Sequence, residues 1–235
     1  MKDISVSVYE ARVEAMNAFF RRVYHWMTAG LILTALTAHW VAASPSLTRA
    51  LFASRGILLG LVLVELGLVL ALTLGINRLS AGAAMSMFIV YSLLNGATLS
   101  AVLLVYTRES VFSAFVTTAG MFGAMSVYGL YTKRDLSSWG SFLIMGLWGL
   151  IIAGVVNMFI GNGVADIAIS AMGVLVFLGL TAYDTQYLRN LGGEVDIESG
   201  DPRVQKLALI GALRLYLDFV NLFLYLLRFF GRLRD

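Results

Sequence analysis

Four Asp, Glu or Arg side chains lie more than three residues inside the long apolar stretches of this 235-residue sequence: Glu65, Asp184, Arg214 and Asp218. Each stretch has about 20 or more predominantly apolar residues, which is the length of a helix that crosses a bilayer. An ionisable group held in hydrocarbon costs about 2.5 to 3.5 kcal/mol on insertion scales, so such groups face protein or water and mark candidate functional sites.

The last apolar run, residues 207–230, carries the most polar groups. Arg214, Asp218, Asn221 and Tyr225 are spaced i, i+4, i+7 and i+11 and therefore fall on one stripe of a helix. We expect this helix to turn the stripe inward, toward neighbouring helices or a water-filled path.

Asp184 and Asp218 are predicted to meet. Asp184 precedes the basic end of its run, at Arg189, by about 6 to 8 Å, and Asp218 lies about 10 Å from the same membrane face if its helix enters near Gly211. Two adjacent carboxylates in a poorly solvated place cannot both ionise cheaply, so they share a proton and titrate as a unit. The pair would form a pH-sensitive gate or a cation site.

Carboxylate and carbonyl oxygens suit Ca²⁺, so Asp184 and Asp218 are the candidate metal ligands. We expect Ca²⁺ as a transported or transiently bound ion, and no tightly bound cofactor. Alternatively, both acids are structural and neutralised by arginines, because Arg214 lies one turn before Asp218 and an ion pair there would oppose proton sharing. Glu65 is less specific, since an isolated protonated acid can simply hydrogen-bond across helices.

Composition places the chain in the membrane. Hydrophobic residues make up 59% and charged residues 13%, against about 25% charged in soluble domains. The sequence has no Cys, which excludes disulfides and Cys-built metal sites. It has only two His, which argues against a His-built metal site. The basic residues are scattered between apolar runs, which does not indicate nucleic-acid binding.

The predicted architecture is an all-α integral membrane protein. Residues 1–22 form a cytoplasmic tail, either a surface amphipathic helix or a solvated segment, and residues 23–235 form a seven-span membrane domain. Residues 44–55 are expected to be a short loop and residues 189–206 a long acidic one. The predicted spans are 23–43, 56–76, 81–106, 111–132, 139–160, 164–188 and 207–230.

The distribution of Lys and Arg predicts orientation. With the N-terminus inside, the cytoplasmic segments hold ten of these residues and the opposite side six, which favours a cytoplasmic N-terminus. Three arginines after residue 227 argue against this and keep a six-span or re-entrant variant open. Small residues such as Gly56, Gly60, Gly123 and Gly146 are expected to pack helices together.

The chain resembles the Bax inhibitor-1 family, also called the transmembrane Bax inhibitor motif family, and within it the bacterial inner-membrane members. The resemblance covers nearly the whole chain beyond the N-terminal tail. It is carried by Gly179-Leu-Thr-Ala-Tyr-Asp-Thr-Gln186, Gly211-Ala-Leu-Arg-Leu-Tyr-Leu-Asp-Phe-Val-Asn221 and Leu227-Arg-Phe-Phe-Gly231.

The resemblance implies a seven-helix bundle whose last helix is central. It implies a calcium leak that opens with pH through an aspartate pair matching Asp184 and Asp218, with Arg78 matching a basic latch after the second span. The polar groups expected near the aspartate pair and its latch are Glu65, Arg214, Asn221, Tyr183 and Tyr225. Arg214 departs from the family pattern, in which a small or hydroxyl residue is usual.

Two other function classes are consistent with parts of the sequence. Intramembrane aspartyl proteases use two Asp, one in a Tyr-Asp pair like Tyr183-Asp184, but the Gly-x-Gly-Asp motif is missing around Asp218, so we expect no enzyme. The family resemblance also suggests an interaction protein without transport of its own, which modulates a membrane protease through the tail and the loop 189–206. The expected partners are therefore the lipid bilayer, Ca²⁺, H⁺ and a membrane protease, and the expected location is the bacterial inner membrane.

Overall fold

The computed structural model describes residues 2–194 and 202–234, with side chains described for residues 13–192 and 203–234. These residues form eight helices and no strand. The helices are α1 (Lys2–Ala43), α2 (Pro45–Phe52), α3 (Arg55–Gly75), α4 (Ala81–Val105), α5 (Arg108–Tyr131), α6 (Ser137–Ile160), α7 (Gly163–Glu194) and α8 (Pro202–Phe230).

Seven of these helices are long and apolar enough to cross a membrane. Their candidate spans are Val13–Ala43, Arg55–Gly75, Ala81–Val105, Arg108–Tyr131, Ser137–Ile160, Gly163–Gly192 and Arg203–Phe230. The prediction of an all-helical, seven-span membrane protein is confirmed.

Two predicted connections are wrong in part. Residues 44–55 were expected to be a loop, but they contain α2, which has Pro45 in its first turn, a position where the missing N–H of proline costs nothing. α1 is continuous from Lys2 to Ala43, so one helix carries both the predicted first span and the predicted tail from Lys2 onward. The predicted amphipathic character of the tail falls mostly on side chains outside the described residues.

The acidic connection before the last span is shorter than predicted. α7 continues to Glu194 and α8 begins at Pro202, so helix occupies both ends of the expected loop 189–206. The remaining acidic residues, Asp196, Glu198 and Asp201, lie outside the described part of the chain.

Local sequence explains where several helices begin and end. Thr107 accepts a hydrogen bond from the backbone N–H of Ser110 and caps α5, and Ser54 does the same for α3 through Ile57. Gly161 ends α6 with φ of +68°, the left-handed conformation that glycine adopts without cost. Asp135 accepts from Ser137 N at 2.9 Å near the start of α6, and this bond holds the pKa of Asp135 below its usual value.

The chain divides into two compact units. Unit 1 comprises residues 1–105 and 191–216, and unit 2 comprises residues 106–190 and 217–235. The division predicted from the sequence, a tail of 1–22 and a membrane domain of 23–235, stays a prediction.

The last helix is the most buried span. Within the candidate span of α8, 61% of the most apolar window is buried, against at most 33% in the other spans. This agrees with the expected central role of the last helix. The polar stripe is not the only side of α8 that is buried. Leu213, Leu215 and Leu222 lie on other sides of the helix and are also fully buried.

Unit 1 is held together by close helix contacts at small residues. A Cβ atom added to Gly96 of α4 would lie 2.5 Å from the backbone oxygen of Thr34 in α1, and one added to Gly30 would lie 2.7 Å from the ring of Phe88. α1 and α4 therefore approach closely at these two glycines, as is usual between helices in membranes.

Unit 2 packs α7 against three other helices. Added Cβ atoms would lie 2.4 Å from Ala182 O at Gly129 of α5, and 2.6 Å from the Tyr183 ring at Gly140 of α6. Tyr225 of α8 stacks on Phe177 with ring centroids 5.7 Å apart. α7 thus contacts α5, α6 and α8.

The small residues that the sequence analysis selected are only partly the packing residues. Gly146 contacts Val176, but no described atom lies within 4 Å of a Cβ added to Gly60 or Gly123, and Gly56 meets only Ser54. Glycine spacing alone therefore did not identify the contact positions.

Candidate functional site

The two predicted acids are both buried in candidate spans of unit 2. Asp184 of α7 is 7% exposed and Asp218 of α8 is 4% exposed. Asp218 lies near the middle of the span Arg203–Phe230. The sequence therefore located two carboxyl groups that the fold withdraws from its surface.

The packing of α7 on α8 supports the predicted pairing of these acids. The start of α7 meets the end of α8, where Asp166 pairs with Arg228, so the two helices run antiparallel. Phe177 stacks on Tyr225, and Asp184 follows Phe177 by seven residues, as Asp218 precedes Tyr225 by seven. Seven residues are about two helical turns. Asp184 and Asp218 therefore lie at the same height along the two antiparallel helices, and on the same helix faces as the stacked rings. That their side chains meet stays a prediction.

The segment of α7 around Asp184 is fixed by the connection between α5 and α6. Gln186 accepts a hydrogen bond from Leu136 N at 2.7 Å and donates to Arg134 O at 2.8 Å. Arg189 donates to Leu130 O at 2.8 Å and Thr132 O at 3.2 Å, at the end of α5. These bonds satisfy carbonyl groups that a helix end leaves open, and they anchor α7 close to Asp184.

On α8, the residues next to Asp218 are held by packing. The ring of Phe219 contacts Phe115 and Phe122 of α5, with centroids 5.6 and 5.5 Å apart. Asn221, a predicted neighbouring group, donates from its amide to Leu217 O of its own helix at 2.8 Å. Tyr225 contributes its ring to the contact with Phe177.

The ring of Tyr183 packs against α6. Its role is therefore not only that of a neighbour to Asp184. A Cβ atom added to Gly140 would lie 2.6 Å from the Tyr183 ring, so the glycine makes room for it. Tyr183 therefore makes a packing contact, whereas the next residue, Asp184, is a buried acid.

Asp166 is an ionisable residue that the sequence analysis missed. It lies within the span Gly163–Gly192, accepts from Arg228 through both carboxylate oxygens, and also accepts from Asn157 at 2.8 Å. Asp166 lies in the first turn of α7, at the edge of the apolar run. A charge at the edge of a run is not conspicuous, so the sequence alone did not indicate this residue.

Glu65 belongs to unit 1 and forms part of a hydrogen-bonded group that we name the Glu65 network. Its oxygens accept from Thr98 at 2.5 Å and Asn95 at 3.3 Å, both on α4. Asn95 accepts from the Tyr216 hydroxyl at 3.0 Å, and this hydroxyl lies 2.6 Å from that of Thr34. Glu65 therefore hydrogen-bonds across helices, while the contributions of Thr34 and Tyr216 were not anticipated.

The two predicted basic partners lie in unit 1. Arg78 is exposed in the turn after α3, where its backbone N–H donates to Gly75 O at 2.9 Å, and its role as a latch stays a prediction. Arg214 is half-buried on α8.

In the part of the chain that is described, no group of three or more His, Cys, Asp or Glu side chains could hold a metal ion. Ca²⁺ takes six to eight oxygen ligands. A cation at Asp184 and Asp218 would therefore complete its coordination with backbone carbonyls or water, as expected of an ion in passage.

These features define the class: a multi-span helical membrane protein with buried carboxyl groups in its two last spans. Residues 16–235 match the family described as inhibitor of apoptosis-promoting Bax1. The chain belongs to the Bax inhibitor-1 family, as the resemblance predicted. It is 46% identical over 230 residues to the inner membrane protein YbhL of Escherichia coli, covering 98% of this chain and 97% of that one.

Other bacteria have similar proteins. A protein of Deinococcus radiodurans is 43% identical over 223 residues, covering 95% of this chain and 94% of the relative. A membrane protein of Streptococcus pyogenes is 36% identical over 227 residues, covering 96% and 97%. The similarity thus extends over nearly the full length of each chain.

Proposed function

We propose that this protein is a passive, pH-sensitive pathway for Ca²⁺ or a similar hard cation, gated by Asp184 and Asp218. The observation that carries the proposal is the burial of two carboxyl groups, 7% and 4% exposed, on antiparallel helices of unit 2. Buried acids within spans mark ion pathways and proton relays more often than structural sites. Membership of the Bax inhibitor-1 family supports the same class of function.

The gate would operate through the charge of the acid pair. When one proton is shared, the pair carries a single negative charge and attracts a cation. Further protonation removes that charge and weakens the contacts that hold the pair, so that α7 and α8 take a second arrangement. Cation passage should therefore increase as pH falls.

Calcium uptake into proteoliposomes that contain the full chain tests this proposal. We expect the initial rate to rise several-fold between about pH 8 and about pH 6, the range in which a perturbed acid pair can act as a switch. Asp218→Asn and Asp184→Asn should each abolish the pH dependence, because an amide cannot change its protonation in this range.

Asp135→Asn is the matched control within unit 2. The hydrogen bond from Ser137 holds the pKa of Asp135 below its usual value, so this acid stays ionised throughout the range and the variant should keep the pH response. Uptake that ignores both pH and Asp218→Asn would refute the proposed gate. If the full chain carried no flux at all, the interaction-protein alternative would gain support.

We further propose that the protein resides in the inner membrane of a bacterium with its N-terminus in the cytoplasm, that it has no enzymatic activity, and that it holds no resident cofactor. The location follows from the name of the Escherichia coli relative, an inner membrane protein, and the orientation from the excess of Lys and Arg on one side.

A further inference from the structure

Two buried hydroxyl groups on neighbouring helices of unit 2, which we name the hydroxyl pair, have an unusual environment. Ser126 of α5 is 5% exposed, and Thr185 of α7 is fully buried. Neither hydroxyl oxygen has a hydrogen-bond partner among the described residues. A hydroxyl group that is withdrawn from water without a partner destabilises a fold, so a partner for these two groups has to be identified.

Other hydroxyl groups of the same two helices are satisfied within their own helix. Thr118 of α5 donates to Ala114 O at 2.7 Å, and Thr181 of α7 donates to Phe177 O at 2.7 Å. Both bonds reach the carbonyl four residues earlier, which is a common arrangement for Ser and Thr inside a helix. The hydroxyl pair makes no such bond, so both of its members are available to a partner outside their own helices.

The hydroxyl pair lies where α5 and α7 approach each other closely. A Cβ atom added to Gly129 would lie 3.0 Å from Thr185 Cβ and would also contact Ala182 O. Ser126 precedes Gly129 by three residues, and Cβ atoms with this spacing lie on one helix face about 5 to 6 Å apart. The Cβ atoms of Ser126 and Thr185 are therefore at most about 9 Å apart. One water molecule spans a distance of this order through two O–H···O bonds of about 2.8 Å each.

Water fits the chemistry of the hydroxyl pair better than a cation does. Each hydroxyl has one proton to donate and two lone pairs that accept, and a water molecule complements both roles. A cation would bind the lone pairs but would leave both hydroxyl protons without an acceptor. The carbonyl oxygen of Ala182 lies against α5 at the same contact and offers a third bond, and buried waters typically make about three.

We propose that Ser126 and Thr185 bind one water molecule, which joins α5 to α7 inside unit 2. Hydrogen bonds between helices hold membrane bundles together, and a bridging water supplies them where two side chains do not bond each other directly. Asp184 directly precedes Thr185, so this water lies beside the turn of α7 that carries a buried acid. The site does not depend on the proposed cation pathway, because it holds water whether or not the protein conducts ions.

A double-mutant cycle on the full chain tests the site. Ser126→Ala and Thr185→Val each remove one hydroxyl group. Each should raise the equilibrium constant of unfolding in mixed detergent micelles by about five- to tenfold, because the water and the remaining hydroxyl lose a bond. The double variant should raise this constant by less than the product of the two single effects, since both residues share one partner.

Thr118→Val is the matched control on α5. Its hydroxyl bonds to its own helix and lies eight residues, or about 12 Å along the helix, from Ser126. The effects of Thr118→Val and Thr185→Val on the unfolding constant should therefore multiply. If Ser126→Ala and Thr185→Val left the constant unchanged or lowered it, the proposal would be overturned, because removing a hydroxyl from a site without water relieves an unsatisfied group.

Solid-state NMR in lipid bilayers detects the water directly and needs no variant. Polarisation from water protons should reach Thr185 about twofold faster or more than it reaches Thr181, which is equally buried one turn earlier on α7. Ser126→Ala should remove this difference. Equal transfer to the two threonines would contradict a bound water.

The occupant can also be distinguished from a monovalent cation. The unfolding constant should be the same in sodium chloride and in choline chloride at equal ionic strength, because water binding needs no metal ion. A stabilisation by sodium that is lost in Ser126→Ala would assign the site to a cation and would overturn the proposal.

Discussion

At the residue scale, Tyr216 links three helices of unit 1. It is completely buried, its hydroxyl lies within hydrogen-bond distance of Thr34 and Asn95, and its ring makes edge contacts with Phe88 and Tyr91. It joins α8 to α1 and α4 through both a hydroxyl group and an aromatic ring. Within lipid, such interhelical hydrogen bonds fix which faces of the helices meet.

Tyr216→Phe should lower the free energy of unfolding by about 1 to 2 kcal/mol, because it leaves the half-buried Asn95 acceptor without its donor. Reversible unfolding in mixed detergent micelles measures this quantity. Tyr91→Phe is the matched control, since it keeps the ring contact and leaves both partners of Tyr216 in place. Equal losses in the two variants would contradict the assigned role of the Tyr216 hydroxyl.

Sequence analysis found the buried acids but only part of their surroundings. A charge within a long apolar run is conspicuous, so Glu65, Asp184 and Asp218 were identified directly. Thr34 and Tyr216 were not, because Thr and Tyr are common in membrane helices and become specific only through partners distant in sequence. Asp166 lies at the end of a run, where a charge costs little and gives no signal.

At the element scale, two helix ends lie close to the predicted span ends, since α4 ends at Val105 and α6 at Ile160, against expected ends at 106 and 160. Thr107 and Gly161 fall at observed boundaries. The predictions for α1 and α7 were too short because an apolar run measures the thickness of the bilayer, whereas a helix continues until a residue ends it. No Pro and only one Gly occur in α1, so the helix extends well beyond the predicted span.

Contacts at glycine hold α5 against α7, and these contacts can be tested. Gly129→Ala should destabilise the protein by about 1 to 3 kcal/mol, the usual cost of overpacking, because the new Cβ would lie 2.4 Å from the backbone oxygen of Ala182. The free energy of unfolding in detergent is the measurement.

Gly123→Ala on the same helix is the control, because no described atom lies within 4 Å of its added Cβ. Alanine is the better helix former by about 1 kcal/mol, so this variant should be neutral or slightly stabilised. If Gly129→Ala behaved in the same way, the close approach of α5 and α7 would be wrong.

At the scale of the whole molecule, the number of crossings determines where the termini lie. Seven candidate spans, each crossing the membrane once, would place the two ends of the chain on opposite sides of it, and the excess of Lys and Arg predicts a cytoplasmic N-terminus. The fold class and the number of spans followed from composition and apolar runs. The division into two units did not, since it depends on contacts between residues far apart in sequence.

Reporter fusions test this topology in a bacterial host. A fluorescent protein fused to the N-terminus should mature in the cytoplasm, and alkaline phosphatase fused to the C-terminus should be active outside it. Fusions in the connection between α5 and α6, predicted to be cytoplasmic, provide the control. A C-terminus on the cytoplasmic side would exclude seven complete crossings.

The continuity of α1 has a mechanical consequence. A helix of 42 residues is about 63 Å long at 1.5 Å per residue, whereas a bilayer with its headgroups is about 40 to 45 Å thick. Because α1 is continuous, a molecule that binds the turns outside the bilayer could rotate or tilt the part of the same helix that lies inside it. Signals from the aqueous phase would then reach the close contact between α1 and α4 at Gly96 without any ligand entering the membrane.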